Sequence, residues 1–110
     1  MELEKTKNQL IIRLDGDLDH HYAAKVRSAV DGAVMAGDVT RVIFDFSGVG
    51  FMDSSGIGVI MGRYKLMRSI GGSVAVFGFS PTLDKLIAMS GIKKIVEIYK
   101  TEQEAERGVS

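Results

Sequence analysis

Residues 41–62 read RVIFDFSGVGFMDSSGIGVIMG and contain the change of pattern that decides the fold. Arg41 to Phe46 is an almost continuous apolar run, which is typical of a strand covered on both faces of a sheet. A loop of small and polar residues follows it. Apolar residues then recur at helical spacing, at Ile57, Ile60, Met61, Tyr64 and Met67. A buried strand that leads through a loop into a helix is the repeating unit of α/β domains.

The same alternation of strand and helix extends outward from this segment in both directions. The expected elements are strands at Leu3, 9–14, 73–77 and 94–99 and helices over about 20–36, 81–89 and 101–107. Helices placed between consecutive strands favour parallel pairing with right-handed crossovers, and a first hairpin turning at Lys7-Asn8 would add an antiparallel edge. We therefore predict an α/β domain with a mixed sheet of four or five strands and about four helices.

Composition limits the classes of function. The chain has 110 residues, of which 14 are Lys or Arg, 14 are Asp or Glu, and 45% are apolar. The zero net charge gives no general attraction to nucleic acid or to an anionic membrane, and the absence of Cys excludes disulfides, thiolate zinc sites and Cys nucleophiles. The N-terminus lacks the apolar core of a signal peptide, and the longest run without a polar residue is far shorter than the ~20 residues that span a bilayer. We expect one domain over residues 1–110, located in the cytoplasm.

The most informative polar segment is Asp53-Ser54-Ser55-Gly56. Ser54 lies where the loop becomes a helix, and we expect its side chain to cap the free N–H groups of the first turn. Gly56 and Gly58 follow, although each glycine costs about 1 kcal/mol relative to Ala inside a helix. Either the bare backbone lets a partner or a phosphate approach closely, or the helix packs tightly on the sheet. The spacing is compatible with both explanations.

A hydroxyl at a helix N-terminus is also a favourable place for a phosphate. Phosphorylation adds about −1.5 to −2 charges, and the helix dipole with its free N–H groups offsets part of that charge. Asp53 opposes the added phosphate by like-charge repulsion. From these residues alone, an ordinary structural cap at Ser54 is the alternative to a modification site.

A second polar cluster covers residues 15–21, DGDLDHH. Its start is similar to a calcium-binding loop, but His20 and Val26 stand where that loop requires Gly and Glu. Adjacent histidines on a helix rarely bind one metal together, because their side chains point about 100° apart. We predict a polar turn with Asp19 as the helix N-cap, and no metal or other cofactor.

Other catalytic motifs are absent around Ser54, including the phosphate-binding G-x-x-x-x-G-K-[ST] and the hydrolase G-x-S-x-G. A triad of Ser54, His20 and Asp19 remains compatible with two loops at one edge of the sheet, so a small serine hydrolase is an alternative function. The cations Arg63, Lys65 and Arg68 are predicted to form a solvated helix face. The methionines Met52, Met61, Met67 and Met89 are predicted to fill the core.

Several short segments resemble the signature of STAS domains of the anti-sigma factor antagonist family. In chain order they are GDLDHH at 16–21, FMDSSGIGVI at 51–60, GRYK at 62–65, IGG at 70–72 and MSG at 89–91. The similarity runs from about Leu10 to Ile98 and is greatest to the antagonists that act in sporulation. No signature position departs from the pattern.

The resemblance implies a STAS fold and a partner-switching regulator. Such proteins bind an anti-sigma factor that is also a serine kinase, and so release a sporulation sigma factor, sigma F. The kinase phosphorylates the first Ser of the D-S-S-G segment, here Ser54; the phosphorylated form no longer holds the kinase, and a phosphatase restores it. The partner-binding residues that follow from the resemblance are Asp19, His20, Asp53, Ser54, Ser55, Gly56, Gly58, Ser80 and Pro81.

The chain is therefore expected to be a substrate and a ligand rather than an enzyme. We expect it to be monomeric when free and to have no nucleic-acid or membrane partner. Within the family, an antagonist of a general stress response is the alternative, although His20-His21 and Arg63-Tyr64-Lys65 favour the sporulation branch.

Overall fold

Five strands form one sheet in the order of the chain, β1-β2-β3-β4-β5, in a computed structural model that describes residues 1–108. The elements are β1 (Glu2–Thr6), β2 (Gln9–Asp15), α1 (His20–Met35), β3 (Arg41–Gly48), α2 (Ser54–Ser69), β4 (Ser73–Phe77), α3 (Pro81–Ser90), β5 (Glu97–Tyr99) and α4 (Glu102–Arg107). A 3₁₀ turn, Ile92–Lys94, precedes β5. The predicted α/β class and mixed sheet are confirmed.

The strand pairing follows from the connections. β1 and β2 form an antiparallel hairpin whose turn includes Lys7 at φ 56°, whereas β2, β3, β4 and β5 pair in parallel. Each parallel pair is joined by a helix that runs back along the sheet. The N-termini of α1, α2 and α3 therefore follow the carboxyl ends of β2, β3 and β4 at one edge, which we call the upper edge.

Alternate side chains of the central strands point into two separate cores. Leu10, Ile12, Val42, Phe44 and Val74 belong to the larger core, which α1, α2 and α3 cover with residues such as Val26, Ile60 and Ile87. Ile11, Ile43, Ala75 and Phe77 face the other side, where Ala105 of α4 covers them. Because both faces are covered, β3 has a continuous run of buried residues, as its sequence predicts.

Three local predictions are wrong. The last strand begins at Glu97 rather than Lys94, because Lys94 belongs to the 3₁₀ turn and the N–H groups of Ile95 and Val96 donate back to the Ile92 carbonyl oxygen. Met89 is 86% exposed near the end of α3 and does not fill the core. Arg63 is only 7% exposed, so it does not lie on a solvated helix face.

Arg63 instead links α2 to α1. Its Nε atom lies 2.9 Å from Oδ1 of Asp31, which is an ion-pair distance, but the N–H and the oxygen are not aligned for a hydrogen bond. Burial lowers the pKa of the Arg63 guanidinium below its ordinary value, and the charge of Asp31 opposes that shift. The two helices that begin at the upper edge are thus joined by charge as well as by apolar packing.

Polar contacts hold α4 against the sheet. Arg41 of β3 donates two hydrogen bonds to the carbonyl oxygen of Ala105, at 3.2 and 2.8 Å, and pairs with Glu97 of β5 at 2.9 Å. Arg13 of β2 binds Glu102 at 2.7 Å. Since Ala105 is the one buried residue of this short helix, the polar contacts of Arg41 and Arg13 contribute much of the interaction that holds α4 on the sheet.

The Arg41–Glu97 contact predicts a pH dependence of stability. Hydrogen bonding to Arg41 lowers the pKa of Glu97 below its ordinary value of 4.5, so the contact stabilises the fold at neutral pH, and this stabilisation is lost as the pH falls through the lowered pKa. We expect Glu97→Gln to lose less free energy of unfolding than the wild type between pH 6 and pH 3.5, measured by urea denaturation. Glu2→Gln, at an exposed position of β1, is the matched control and should behave as the wild type does. Equal losses in the wild type and Glu97→Gln would contradict the assignment.

Candidate functional site

Two loops are joined at the upper edge. Leu18, before α1, forms a parallel bridge with Met52, before α2. The Leu18 N–H donates to the Phe51 carbonyl oxygen at 2.9 Å, and the Asp53 N–H donates to the Leu18 carbonyl oxygen at 3.4 Å. Leu18 and Met52 are both buried. The first turns of α1 and α2 are consequently held side by side.

The N-cap of α2 is Asp53. Its backbone is extended, at φ −99° and ψ −169°, and its Oδ1 atom accepts a hydrogen bond from the Ser55 N–H at 2.8 Å. Ser54 is therefore the first helical residue, and the prediction that its side chain caps the helix is wrong. The carboxylate at the preceding position satisfies an amide of the first turn instead, and its negative charge is favoured at the positive end of the helix dipole.

The shift of the cap to Asp53 leaves the Ser54 hydroxyl free. The Ser54 residue is exposed, and among residues 1–108 its hydroxyl has no hydrogen-bond partner. Ser55 is half-buried, and its N–H is the one that Asp53 binds. Of the two serines, Ser54 is the one that an external enzyme reaches more readily.

The glycines of α2 separate into two kinds. A Cβ atom on Gly56 would lie 2.7 Å from Met52 Sδ and 3.1 Å from Leu18 Cδ2, so this glycine is required by packing between the two loops. A Cβ atom on Gly58 or Gly62 would meet nothing within 4 Å. The two explanations left open by the sequence therefore apply to different residues: tight packing accounts for Gly56 and does not account for Gly58.

Ser54, Gly58 and Gly62 succeed one another at intervals of four residues and so share one side of α2. Ser54 and Gly58 are exposed, and Gly62 is half-buried. This side of the helix begins at the free hydroxyl and has no side chains at the two following positions. It offers a partner direct access to the helix backbone.

The first turn of α1 completes the surface beside Ser54. Asp19 caps α1 as predicted, with its Oδ1 atom accepting from the Tyr22 N–H at 2.9 Å. His20 and His21 are both exposed, and their rings meet edge to face at 6.0 Å. No hydrogen bond joins these residues to Ser54 within the described chain, so Ser54, His20 and Asp19 do not form a hydrogen-bonded triad.

The predicted residues of α3 lie at the same edge. Ser80 is the N-cap of α3, its Oγ atom accepts from the Leu83 N–H at 3.2 Å, and Pro81 is the first helical residue. The end of β4 is tightly packed on the end of β3, since a Cβ atom on Gly78 would lie 2.9 Å from the Ser47 nitrogen. The structure thus brings Ser80-Pro81 to the edge that carries Asp19 and Ser54.

The two loops beside Ser54 carry negative charge and no lysine or arginine. Neither 14–24 nor 47–62 contains Lys or Arg, whereas the two segments contain Asp15, Asp17, Asp19 and Asp53. The N-terminal ammonium group lies 3.2 Å from Asp15 and, by hydrogen bonding to it, lowers the pKa of that carboxyl. A phosphate added at Ser54 would enter a region that is already acidic.

Phe51 carries no predicted role, yet it is 55% exposed in the loop that leads to Ser54. An aromatic residue between Gly50 and a buried Met gives no sequence signal of its orientation.

Among residues 1–108, no group of three or more His, Asp or Glu side chains is arranged to hold a metal ion. None of the helices in the same range has the length and apolar character needed to cross a bilayer.

Comparison with known proteins identifies similar chains over nearly the whole length. A profile of the STAS domain family matches residues 1–105. An anti-sigma F factor antagonist of Paenibacillus polymyxa is 42% identical over 105 residues, covering 96% of this chain and 90% of the relative. An anti-sigma-B factor antagonist of Listeria monocytogenes is 33% identical over 102 residues, covering 92% of this chain and 88% of the relative.

Solved structures of the anti-sigma factor antagonist SpoIIAA are similar in two states. The unphosphorylated form has a TM-score of 0.78 at 30% identity, and the match covers 97% of this chain and 94% of the SpoIIAA chain. The phosphorylated form of the Bacillus protein has a TM-score of 0.77 at 35% identity and covers 99% and 98% of the two chains. The resemblance inferred from the sequence motifs is confirmed.

The two kinds of glycine predict opposite effects on stability. Gly58→Ala should raise the free energy of unfolding by about 1 kcal/mol, because Ala is the better helix former and its methyl group meets open space. Gly56→Ala should lower it by roughly 1–3 kcal/mol, because the methyl group forces Met52 and Leu18 to move. Urea denaturation of both variants tests the pair. A destabilising Gly58→Ala would show that the fold itself requires glycine there.

Proposed function

The chain belongs to the STAS domain family, and from this membership we propose that it is an anti-sigma factor antagonist consisting of a single STAS domain. In its unphosphorylated form it binds an anti-sigma factor that is also a serine kinase, and the sporulation sigma factor, sigma F, is thereby released. Phosphorylation of Ser54 by that kinase ends the interaction, and a phosphoserine phosphatase restores it. The chain is a ligand and a substrate in this scheme and catalyses no reaction.

The observation that carries the proposal is the free hydroxyl of Ser54. Asp53 already satisfies the first turn of α2, so removing or modifying the Ser54 hydroxyl breaks no hydrogen bond of the described fold. A structural cap would resist modification, because phosphorylation would remove an interaction on which the helix depends. Exposure of Ser54 and partial burial of Ser55 support Ser54 as the acceptor.

The electrostatics of the site support a change in docking rather than unfolding. A phosphoserine adds about −1.5 to −2 charges, and the amides and dipole at the start of α2 offset part of that charge within the chain. Asp53 and the carboxylates of the neighbouring loop add to the negative potential outside it. A contact that buries the neutral hydroxyl would have to bury an uncompensated charge after phosphorylation, which is strongly unfavourable.

The docking surface of the proposal surrounds Ser54. It consists of Asp19 and His20 at the start of α1, Asp53 to Ser55 and Gly58 at the start of α2, and Ser80-Pro81 at the start of α3. Gly56 is buried and lies beneath this surface, where it allows α2 to pack on Leu18 and Met52. Gly58 supports close approach of the kinase, because its lack of a side chain has no packing explanation. The similarity of this chain to both forms of SpoIIAA supports a fold that is common to the two phosphorylation states.

A second candidate function within the family is an antagonist in a stress-response partner-switching module. It is supported by the similarity to an anti-sigma-B factor antagonist. Parallel binding assays with the anti-sigma factors of the two systems distinguish the candidates: the sporulation proposal expects tight binding to the anti-sigma F factor only. Tighter binding to the stress-response anti-sigma factor would replace it.

The acceptor assignment is tested with two alanine variants. We expect the wild type and Ser55→Ala to gain one phosphate on incubation with the anti-sigma F kinase and ATP, and Ser54→Ala to gain none, as read by intact-protein mass spectrometry. Ser54→Ala should still bind the kinase in the presence of ADP, because the hydroxyl makes no contact that the fold needs. Full phosphorylation of Ser54→Ala would show that the acceptor is another residue.

Close approach at Gly58 is tested by the same variant that tests its effect on stability. Gly58→Ala should bind the kinase at least several-fold more weakly than the wild type while being the more stable of the two, because the methyl group projects from the docking surface. Calorimetric titration gives the affinity. Ala88→Gly, at an exposed position in the last turn of α3, is a control for unrelated changes in helix propensity and should bind as the wild type does. Unchanged affinity in Gly58→Ala would remove Gly58 from the docking surface.

A further inference from the structure

The phenylalanines of the chain are buried or half-buried, with one exception. Phe44 and Phe46 are fully buried, Phe77 is 6% exposed, and Phe79 packs its ring 4.7 Å from that of Phe46. Phe51 is 55% exposed, and it belongs to neither apolar core. Leaving an aromatic ring in water gives up much of the free energy that burial provides, so the fold gains little from Phe at this position.

The backbone of Phe51 is nevertheless held firmly. Its carbonyl oxygen accepts the Leu18 N–H at 2.9 Å, and the next residue, Met52, is buried and bridged to Leu18. An exposed ring on a fixed backbone has only two side-chain torsions to order on binding. The entropic cost of burying it against a partner is therefore small.

The position of Phe51 distinguishes it from the other exposed apolar side chains. Met35, Ile70 and Met89 lie at the C-terminal ends of α1, α2 and α3, at the edge of the sheet opposite to Ser54, and Met1 and Leu3 lie on or beside the edge strand. Met1 also reaches the upper edge, where its ammonium group pairs with Asp15, but it lies beside β1 and not in a loop that precedes a helix. Within residues 1–108, Phe51 is thus the one large apolar side chain exposed in the loops that precede α1, α2 and α3. It lies three residues before Ser54, among carboxylates and glycines that supply no apolar contact of their own.

We propose that Phe51 is the apolar anchor of the docking surface and inserts into an apolar pocket of the anti-sigma factor kinase. This inference rests on the proposed function. It requires the kinase to have an apolar pocket beside the site that binds Ser54. A rigid aromatic side chain surrounded by polar residues is the arrangement from which interfaces obtain most of their binding energy. Burial of the ring slows dissociation of the complex and holds Ser54 at the active site, whereas the surrounding carboxylates mainly affect the rate of association and its salt dependence.

The test measures the Kd and the dissociation rate of the intact chain on immobilised anti-sigma F kinase in the presence of ADP. We expect Phe51→Ala to raise Kd by about tenfold or more, mainly through faster dissociation, and Phe51→Leu to give an intermediate value. Met89→Ala removes an exposed apolar side chain at the opposite edge and should leave Kd unchanged. Urea denaturation should give Phe51→Ala nearly the stability of the wild type, because its ring packs in neither core.

The outcomes separate the anchor from the proposed function. Binding of Phe51→Ala as tight as that of the wild type, with Ser54 phosphorylated normally, would overturn the anchor and leave the antagonist function intact. Equal loss of affinity in Phe51→Ala and Met89→Ala would also overturn it, because the effect would then be one of general hydrophobicity. A wild-type chain that neither binds the kinase nor accepts phosphate would overturn the proposed function and the anchor together.

Discussion

One hydrogen bond determines how the candidate site works: the Asp53 carboxylate accepts the Ser55 N–H and thereby caps α2. This contact places Ser54 at the first helical position, with an exposed hydroxyl that the fold does not use. The cap also depends on the pairing of Leu18 with residues 51–53, which sets Asp53 in the extended conformation that an N-cap requires. The proposed acceptor, Ser54, is thus available for modification because Asp53 supplies the cap.

The rest of the molecule keeps this site rigid. Parallel strands bring the first turns of three helices to one edge, Gly56 allows α2 to pack against Met52 and Leu18, and the buried Arg63 ties α2 to Asp31 of α1. Phosphorylation of Ser54, as proposed, would change the charge of a surface held in this way while its shape is retained. The antagonist proposal therefore explains a switch between partners as a local electrostatic effect on an unchanged scaffold.

The sequence predicted the course of the chain well and the environment of individual side chains less well. Apolar periodicity identified the strands and helices, and Asp19 was predicted as an N-cap because a capping residue type stands immediately before the first helical residue. Ser54 was assigned the cap because both Asp53 and Ser54 are good capping residues, and only the backbone conformation shows which one takes the position. The burial of Arg63 depends on an Asp of another helix, and the exposure of Phe51 and Met89 depends on which surfaces have no neighbour. The periodicity of one segment shows neither which residue of another helix pairs with Arg63 nor which surfaces lack a neighbour.

In the proposed switch, a charge at Ser54 ends docking without altering the fold. This proposal is tested most directly by ¹H–¹⁵N correlation spectra of the labelled chain, unmodified and fully phosphorylated at Ser54, each recorded alone and with the unlabelled anti-sigma F kinase and ADP. We expect phosphorylation to shift resonances only around 50–58 and the adjoining 16–22, and we expect the kinase to broaden the spectrum of the unmodified chain but not that of the phosphorylated chain. Shifts spread through the buried strands, or equal broadening of both forms, would contradict it.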